Sequence, residues 1–305
     1  SHALDQDRTY AINFHSAIFT NLTQDHLHYH KTQEDYFRAK AKLFKGLDRN
    51  AFIVINTDDA YGRRIREMIK GPEIITYAIG NEADVMAKDI QPDMSATEFT
   101  LMADKKGMNF KTRLIGRHNI YNILASFAWA FKEGLNQEAV KSALESFDFI
   151  PGRLEKIRSG RDFSVFVDYA HTEDALTNVI TALRQISANR IIVVFGCGGQ
   201  RDKTKRPKMG SAVSELADYA IITNDNPRSE DPQKIIEDIV KGIRKDNYCI
   251  IPDRKVAIRK SLSMAKAGDI VLIAGKGHEN YQILKDEAVH FDDREVVKEC
   301  LASMN

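Results

Sequence analysis

Tyr219-Ala220-Ile221-Ile222-Thr223 is a short, nearly continuous apolar run, and Asp225-Asn226-Pro227-Arg228 follows it almost at once. Such a run, bounded by turn residues, reads as a strand buried on both faces, the habit of parallel sheets. The charges after it then lie in the loop past the strand's carboxyl end, the rim on which open α/β sheets bind ligands. Arg228 offers a planar, bidentate donor suited to a carboxylate, and Pro227 fixes its own φ and stiffens the loop. Asp225, Glu230 and Asp231 can answer an ammonium. A cation and anions on one stiff turn suit a zwitterionic amino acid, although the same residues also make an ordinary solvated turn.

The same rhythm of apolar run and polar loop recurs on either side. Val165-Phe166-Val167 leads into Asp168-Tyr169-Ala170-His171, and residues 191–195 into Gly196-Cys197-Gly198-Gly199-Gln200-Arg201. Residues 270–274 lead into Gly275-Lys276-Gly277-His278-Glu279. In a parallel sheet these four loops share one edge and can converge on one ligand. Further upstream, residues 52–56 read as a strand before the turn Thr57-Asp58-Asp59, and residues 33–45, 120–132 and 136–147 as helices. Residues 73–111 read as a meander of weaker strands. Pro151-Gly152 breaks the last of those helices. The pattern therefore predicts an α/β chain with mainly parallel sheets, divided into domains at 1–150 and 151–305.

The 305 residues carry 44 Lys and Arg against 43 Asp and Glu, so no global field attracts nucleic acid or an acidic membrane surface. The expected partners are small molecules, with neither nucleic acid nor membrane, and a monomer is expected. Three widely spaced cysteines, Cys197, Cys249 and Cys300, fit no metal pattern and favour a reducing cytoplasm. No apolar run approaches the roughly 18 residues of a membrane helix.

Several features admit two readings each. Gly196-x-Gly198 and Gly275-x-Gly277 lack the third glycine of a dinucleotide fingerprint. They either bring backbone N–H groups to an anion or simply turn tightly. The basic run Arg201, Lys203, Lys205, Arg206 and Lys208 reads as a solvated helix face. His26, His28 and His30 alternate, which on a strand places all three on one face, yet no fourth zinc ligand stands nearby. Lys40 reads as a surface charge on a helix. Asn119 and Asn122, three apart at a helix start, either cap it or face a base or sugar.

Taken together the motifs resemble the Mur ligases of peptidoglycan synthesis, and within them the diaminopimelate-adding branch. The resemblance rests on Ser1 to Gln6, Asp25 to His30, Tyr36 to Lys40, Gly116 to Asn119, Pro151 to Glu155, Asp168 to His171, Arg201-Asp202-Lys203 with Lys205-Arg206-Pro207, Asp225 to Arg228, and Gly275 to Glu279. It implies a central ATPase domain followed by a Rossmann-like, amino-acid-binding domain. By that comparison the chain starts inside the central domain, without the nucleotide-sugar domain or the phosphate-binding loop, and is expected to be inactive alone. The resemblance assigns Gln6 and Arg8 to the muramoyl-peptide substrate, His26 to Mg2+, and Lys40 to a carbamylated lysine that supplies an anionic Mg2+ ligand. It places His118, Asn119 and Asn122 at the adenine, and Arg153, Asp168 and His171 at ATP. Arg201, Asp225, Asn226, Pro227, Arg228, Gly275 and Glu279 fall in the pocket for the incoming amino acid. Two departures stand out: His28 replaces the family's usual Asp, and Glu173 replaces a common proline.

The implied reaction is ATP-dependent amide formation. The D-glutamyl carboxylate of UDP-muramoyl dipeptide is activated as an acyl phosphate, and the amine of meso-diaminopimelate then attacks it. Two arginines fit the two carboxylates of diaminopimelate. The lysine-adding relatives lack the arginine at 228, folylpolyglutamate synthases lack Asp-Asn-Pro-Arg, and a non-catalytic nucleotide-binding module remains the alternative of another class.

Overall fold

A computed structural model describes residues 1–187, 189–285 and 287–304; the His28 side chain lies outside what is described. The chain forms two compact units, Ser1–Asp148 and Phe149–Asn305. No described helix is long and apolar enough to cross a membrane.

The first unit runs α1 (His2–Asp5), β1 (Ser16–Phe19), α2 (Leu27–His30), α3 (Gln33–Lys45), β2 (Phe52–Asn56), α4 (Ala60–Met68), β3 (Glu73–Ala78), β4 (Val85–Pro92), β5 (Thr97–Ala103), β6 (Lys106–Thr112), α5 (Arg117–Lys132) and α6 (Gln137–Glu145). Its six strands lie in chain order. β1 to β4 pair in parallel, and β4, β5 and β6 turn back on one another as an antiparallel meander. Thr32 caps α3 by accepting from the Asp35 N–H, the standard remedy for an orphan helix donor. That helix lays Phe37, Ala41 and Phe44 against Phe19, Ile53 and Ile55 of the sheet.

The second unit contains β7 (Glu155–Ile157), β8 (Ser164–Asp168), α7 (Glu173–Ile186), β9 (Ile191–Phe195), α8 (Lys205–Leu216), β10 (Tyr219–Ile222), α9 (Pro232–Val240), β11 (Tyr248–Ile250), α10 (Arg254–Met264), β12 (Ile270–Ala274), β13 (Tyr281–Leu284), β14 (Glu287–His290) and α11 (Asp293–Ser303). The sheet order is β11-β10-β9-β12-β8-β7. Every pair but β7 with β8 is parallel. Strands β9 and β12 are buried along their whole length, which accounts for their continuous apolar sequence. The loops after β8, β9, β10 and β12 therefore leave the sheet at one edge. Glu173 opens α7, where a negative side chain suits the helix dipole. β13 and β14 form a separate antiparallel hairpin.

Candidate functional site

In the first unit the histidine segment is helical rather than extended. His26 takes a left-handed backbone (φ 58°) and starts α2, so the alternation of His26 and His30 does not put them on a strand face. Among the described residues no group of three or more His, Cys, Asp or Glu is placed to hold a metal. Burial lowers the His30 pKa, and its ring stacks on Tyr36 at 5.1 Å. The His26 ring meets the edge of the same tyrosine at 6.0 Å, and its Nε2 lies 3.6 Å from Asp25.

Lys40 completes this cluster from α3, with Nζ 5.3 Å from the centre of the Tyr36 ring. It is half-buried rather than a surface charge. Burial holds its ammonium below the usual lysine range, and Asp25 opposes that only in part. A neutral amine is what carbamate formation needs, so the residue suits the chemistry implied for it. An anionic carbamate oxygen suits Mg2+, a hard cation that prefers oxygen, whereas the His26 imidazole is an unusual donor for it. Gln6 and Arg8 are exposed; Gln6 donates to the Tyr29 hydroxyl at 3.2 Å.

At the start of α5, the Asn119 side chain bonds groups of its own turn. It is fully buried, its Nδ2 donates to the Ile115 carbonyl at 2.8 Å, and its Oδ1 accepts from Asn122 at 3.3 Å. Asn119 thus shapes the turn, while His118 and Asn122 retain exposed surface. Asp58 is the functional candidate that sequence reasoning missed. It accepts from the N–H groups of Ile79 and Gly80, from Asn81 and from the Tyr121 hydroxyl. Burial works against its charge, but these donors outweigh it and lower the pKa. Its signal was only a turn-type Asp-Asp pair, because the donors come from elements far apart in sequence.

In the second unit the four rim loops do meet. Asp168 ends β8, almost fully buried, and accepts from the Leu154 and Ala170 N–H groups at 2.7 Å each. Burial dominates and raises its pKa despite those donors and the nearby Arg153. Arg153 lies over the Tyr169 ring at 5.0 Å, and His171 Nδ1 is 2.8 Å from the Tyr169 carbonyl.

Arg228 adopts a left-handed backbone, φ 54°, rare for a residue with a side chain. The β13 strand accounts for it: the Arg228 N–H donates to the Ile283 carbonyl, and its own carbonyl accepts from Lys285. Gln282 adds a third tie, donating to the Asp225 carbonyl at 2.7 Å. The Arg228 Nη1 donates to the Gly199 carbonyl at 2.8 Å and to the Asn226 carbonyl at 3.3 Å. Burial and then Arg201 disfavour its charge, a combination an incoming carboxylate would relieve. Gly198 lies between the two arginines, since a Cβ there would be 3.0 Å from Arg228 Nη1 and 3.8 Å from Arg201 Cγ. On the acidic side, Gly275 packs against Asp225, a Cβ there falling 2.9 Å from Oδ2. Glu279 accepts from Asn226 Nδ2 at 3.0 Å.

Two expectations need correction. Glu230 and Asp231 do not answer a ligand ammonium. Glu230 is taken up by Arg206 through two 2.8 Å hydrogen bonds and by Lys203 at 3.1 Å. Asp231 caps α9. The basic run is only in part a solvated face: Arg201, Lys203 and Lys208 are exposed, but Lys205 and Arg206 are buried, and Arg206 ties the loop after β9 to the loop after β10.

Residues 1–130 match the profile of the Mur ligase middle domain, and residues 152–277 that of the Mur ligase glutamate ligase domain. The UDP-N-acetylmuramoyl-L-alanyl-D-glutamate--2,6-diaminopimelate ligase 1 of Clostridium acetobutylicum is 48% identical over all of this chain and 63% of its own length. The ligase of the same name from Solibacter usitatus is 47% identical over 99% of this chain and 62% of its own. A solved structure of such a diaminopimelate ligase is 36% identical, with a TM-score of 0.63 over 99% of this chain and 63% of that one. The chain therefore spans a little over three fifths of the relatives it matches. With both of its units matched in family order and whole-chain identities near one half, the chain belongs to the Mur ligase family.

Proposed function

We propose that the protein carrying this chain joins meso-diaminopimelate to UDP-N-acetylmuramoyl-L-alanyl-D-glutamate in an ATP-dependent amide ligation. The observation that carries this is the pairing of Arg201 and Arg228 about Gly198, within a rim that also presents Asp225 and Glu279. Two guanidinium groups suit two carboxylates, and the acidic side suits an ammonium. The names of the relatives agree with that chemistry.

The first unit is assigned the phosphoryl side of the reaction. His118 and Asn122 bound the adenine, with Asn119 holding the turn, and Gln6 and Arg8 meet the muramoyl peptide. A Mg2+ ion held by His26 and carbamylated Lys40 would supply neutralisation of phosphate charge. Arg153, Asp168 and His171 are assigned to phosphate binding within the second unit's own rim. The Asp225–Arg228 segment, Arg201, Gly275 and Glu279 orient the incoming amino acid. Holding its free amine in line for attack on the acyl phosphate converts much of the entropic cost of the second step into binding.

Turnover of the full-length protein with UDP-muramoyl dipeptide, comparing meso-diaminopimelate with L-lysine, tests this. Lysine leaves one arginine unmatched, a cost of about 1–3 kcal/mol, or on the order of 5- to 150-fold in kcat/KM. Equal or reversed preference would overturn the pocket assignment. Absence of turnover with either would favour a nucleotide-binding module.

A further inference from the structure

Lys276 has no exposed surface, although lysine is among the side chains least often fully buried. The glycines on either side explain how the chain delivers it inward. Gly275 and Gly277 both have positive φ, 117° and 54°. A Cβ on Gly277 would lie 2.7 Å from Tyr169 Cβ and 2.8 Å from the Gly152 carbonyl. Only glycine passes there at low cost, and the lysine between them is turned under the rim.

Its Nζ donates to Asn226 Oδ1 at 3.2 Å and to Glu279 Oε2 at 3.4 Å. Asn226 Oδ1 also accepts from the Ile283 N–H at 3.0 Å. Two donors on that oxygen fix which way the amide points, so Nδ2 must face Glu279, as it does at 3.0 Å. Glu279 Oε2 is thus held twice, whereas among the described residues Oε1 has only a long 3.5 Å contact from the Tyr169 hydroxyl. The carboxylate is pinned at one oxygen and available at the other.

We propose that Lys276 is the positioning residue of the amino-acid pocket, orienting Asn226 and Glu279 so that Glu279 Oε1 meets the ammonium of the incoming amino acid. This rests on the function proposed above. Lys276 itself has no surface with which to touch the substrate, so its effect is confined to the amino acid's binding step.

The test is steady-state kinetics of the full-length protein carrying Lys276→Met, with each of the three substrates varied in turn. The expected result is a rise of roughly tenfold or more in the KM for diaminopimelate, the size of one lost charge-assisted hydrogen bond. The KM values for ATP and the muramoyl peptide should stay within about twofold. Because Lys276 acts through Glu279, the double variant Lys276→Met/Glu279→Gln should be no worse than Glu279→Gln alone, again within about twofold. Where the methionine lowers the melting temperature, Lys276→Gln, which keeps a donor for Asn226, should give a smaller rise in the same KM alone. An unchanged KM for diaminopimelate, an equal rise for all three substrates, or additive effects in the double variant would overturn the proposal. A wild-type protein that does not use diaminopimelate would instead overturn the function on which it rests.

Discussion

Replacing Arg206 by methionine should loosen the rim without touching any residue assigned to a ligand. The guanidinium has no exposed surface and meets Glu230 through both terminal nitrogens at 2.8 Å, with Asp238 at 3.1 Å. Breaking a buried ion pair by removing one partner costs about 3–5 kcal/mol. The lower end applies here, because Glu230 keeps the Gln200 N–H at 3.0 Å and Lys203 at 3.1 Å, and Asp238 keeps Lys241 at 2.6 Å. A loss near 3 kcal/mol corresponds to exchange on the order of 100-fold faster for the most protected amides of β9 and β10. Hydrogen exchange is the appropriate assay, since the single tryptophan, Trp129, reports on the other unit. The pH dependence supplies a second check. Arg206 above all holds the Glu230 carboxyl far below the usual range. A carboxylate whose pKa is depressed by folding stabilises above its unfolded value, near 4.3, and loses that stabilisation as pH falls through the folded value. The difference between wild type and variant should therefore be largest at neutral pH and shrink in acid below about pH 4. A loss under about 1 kcal/mol, the scale of an exposed pair, or a difference independent of pH would refute the assignment of this pair as the tie between the two loops.

Two further outcomes follow from single positions. A Cβ on Gly199 would lie 1.9 Å from the Pro227 carbonyl oxygen, so Gly199→Ala must displace the loop that carries Arg228. The KM for diaminopimelate in the full-length protein should rise on the order of tenfold or more, about 1.4 kcal/mol, while an unchanged KM would show that the loop gives way freely. Burial lowers the Lys40 pKa, so more of its amine is neutral at mildly alkaline pH than in an exposed lysine. Lys40 should therefore take up 13C-bicarbonate label ahead of the exposed lysines by NMR, and Lys40→Met should abolish turnover without lowering the melting temperature. Label spread evenly over the lysines would contradict this.

Strands β8, β9, β10 and β12 were legible because each is buried on both faces and so carries an uninterrupted apolar run, with glycine or an acidic residue at its exit. The rim loops followed from them by geometry alone. What periodicity does not encode is which charge pairs with which, because the partner of Glu230 is set by tertiary approach. Glu230 beside Arg228 reads as part of an acidic pocket, yet it is spent on Arg206, 24 residues earlier in the chain. Asn119 reads either as a cap or as a ligand contact, and its side chain bonds the Ile115 carbonyl four residues earlier. The β13–β14 hairpin was invisible for a related reason: its strands are short and half-exposed, without the apolar runs that marked the main sheet. That hairpin nevertheless imposes the left-handed backbone of Arg228 and supports Asn226 through Ile283. The residues that chemistry picks out in this pocket are thus held by residues that chemistry alone would pass over. Arg206, Gln282 and Lys276 never need to touch a ligand for the pocket to depend on them. A rim of four loops has many conformations open to it, and each buried tie removes some of them before any ligand arrives, so less of the binding energy is consumed in ordering the site.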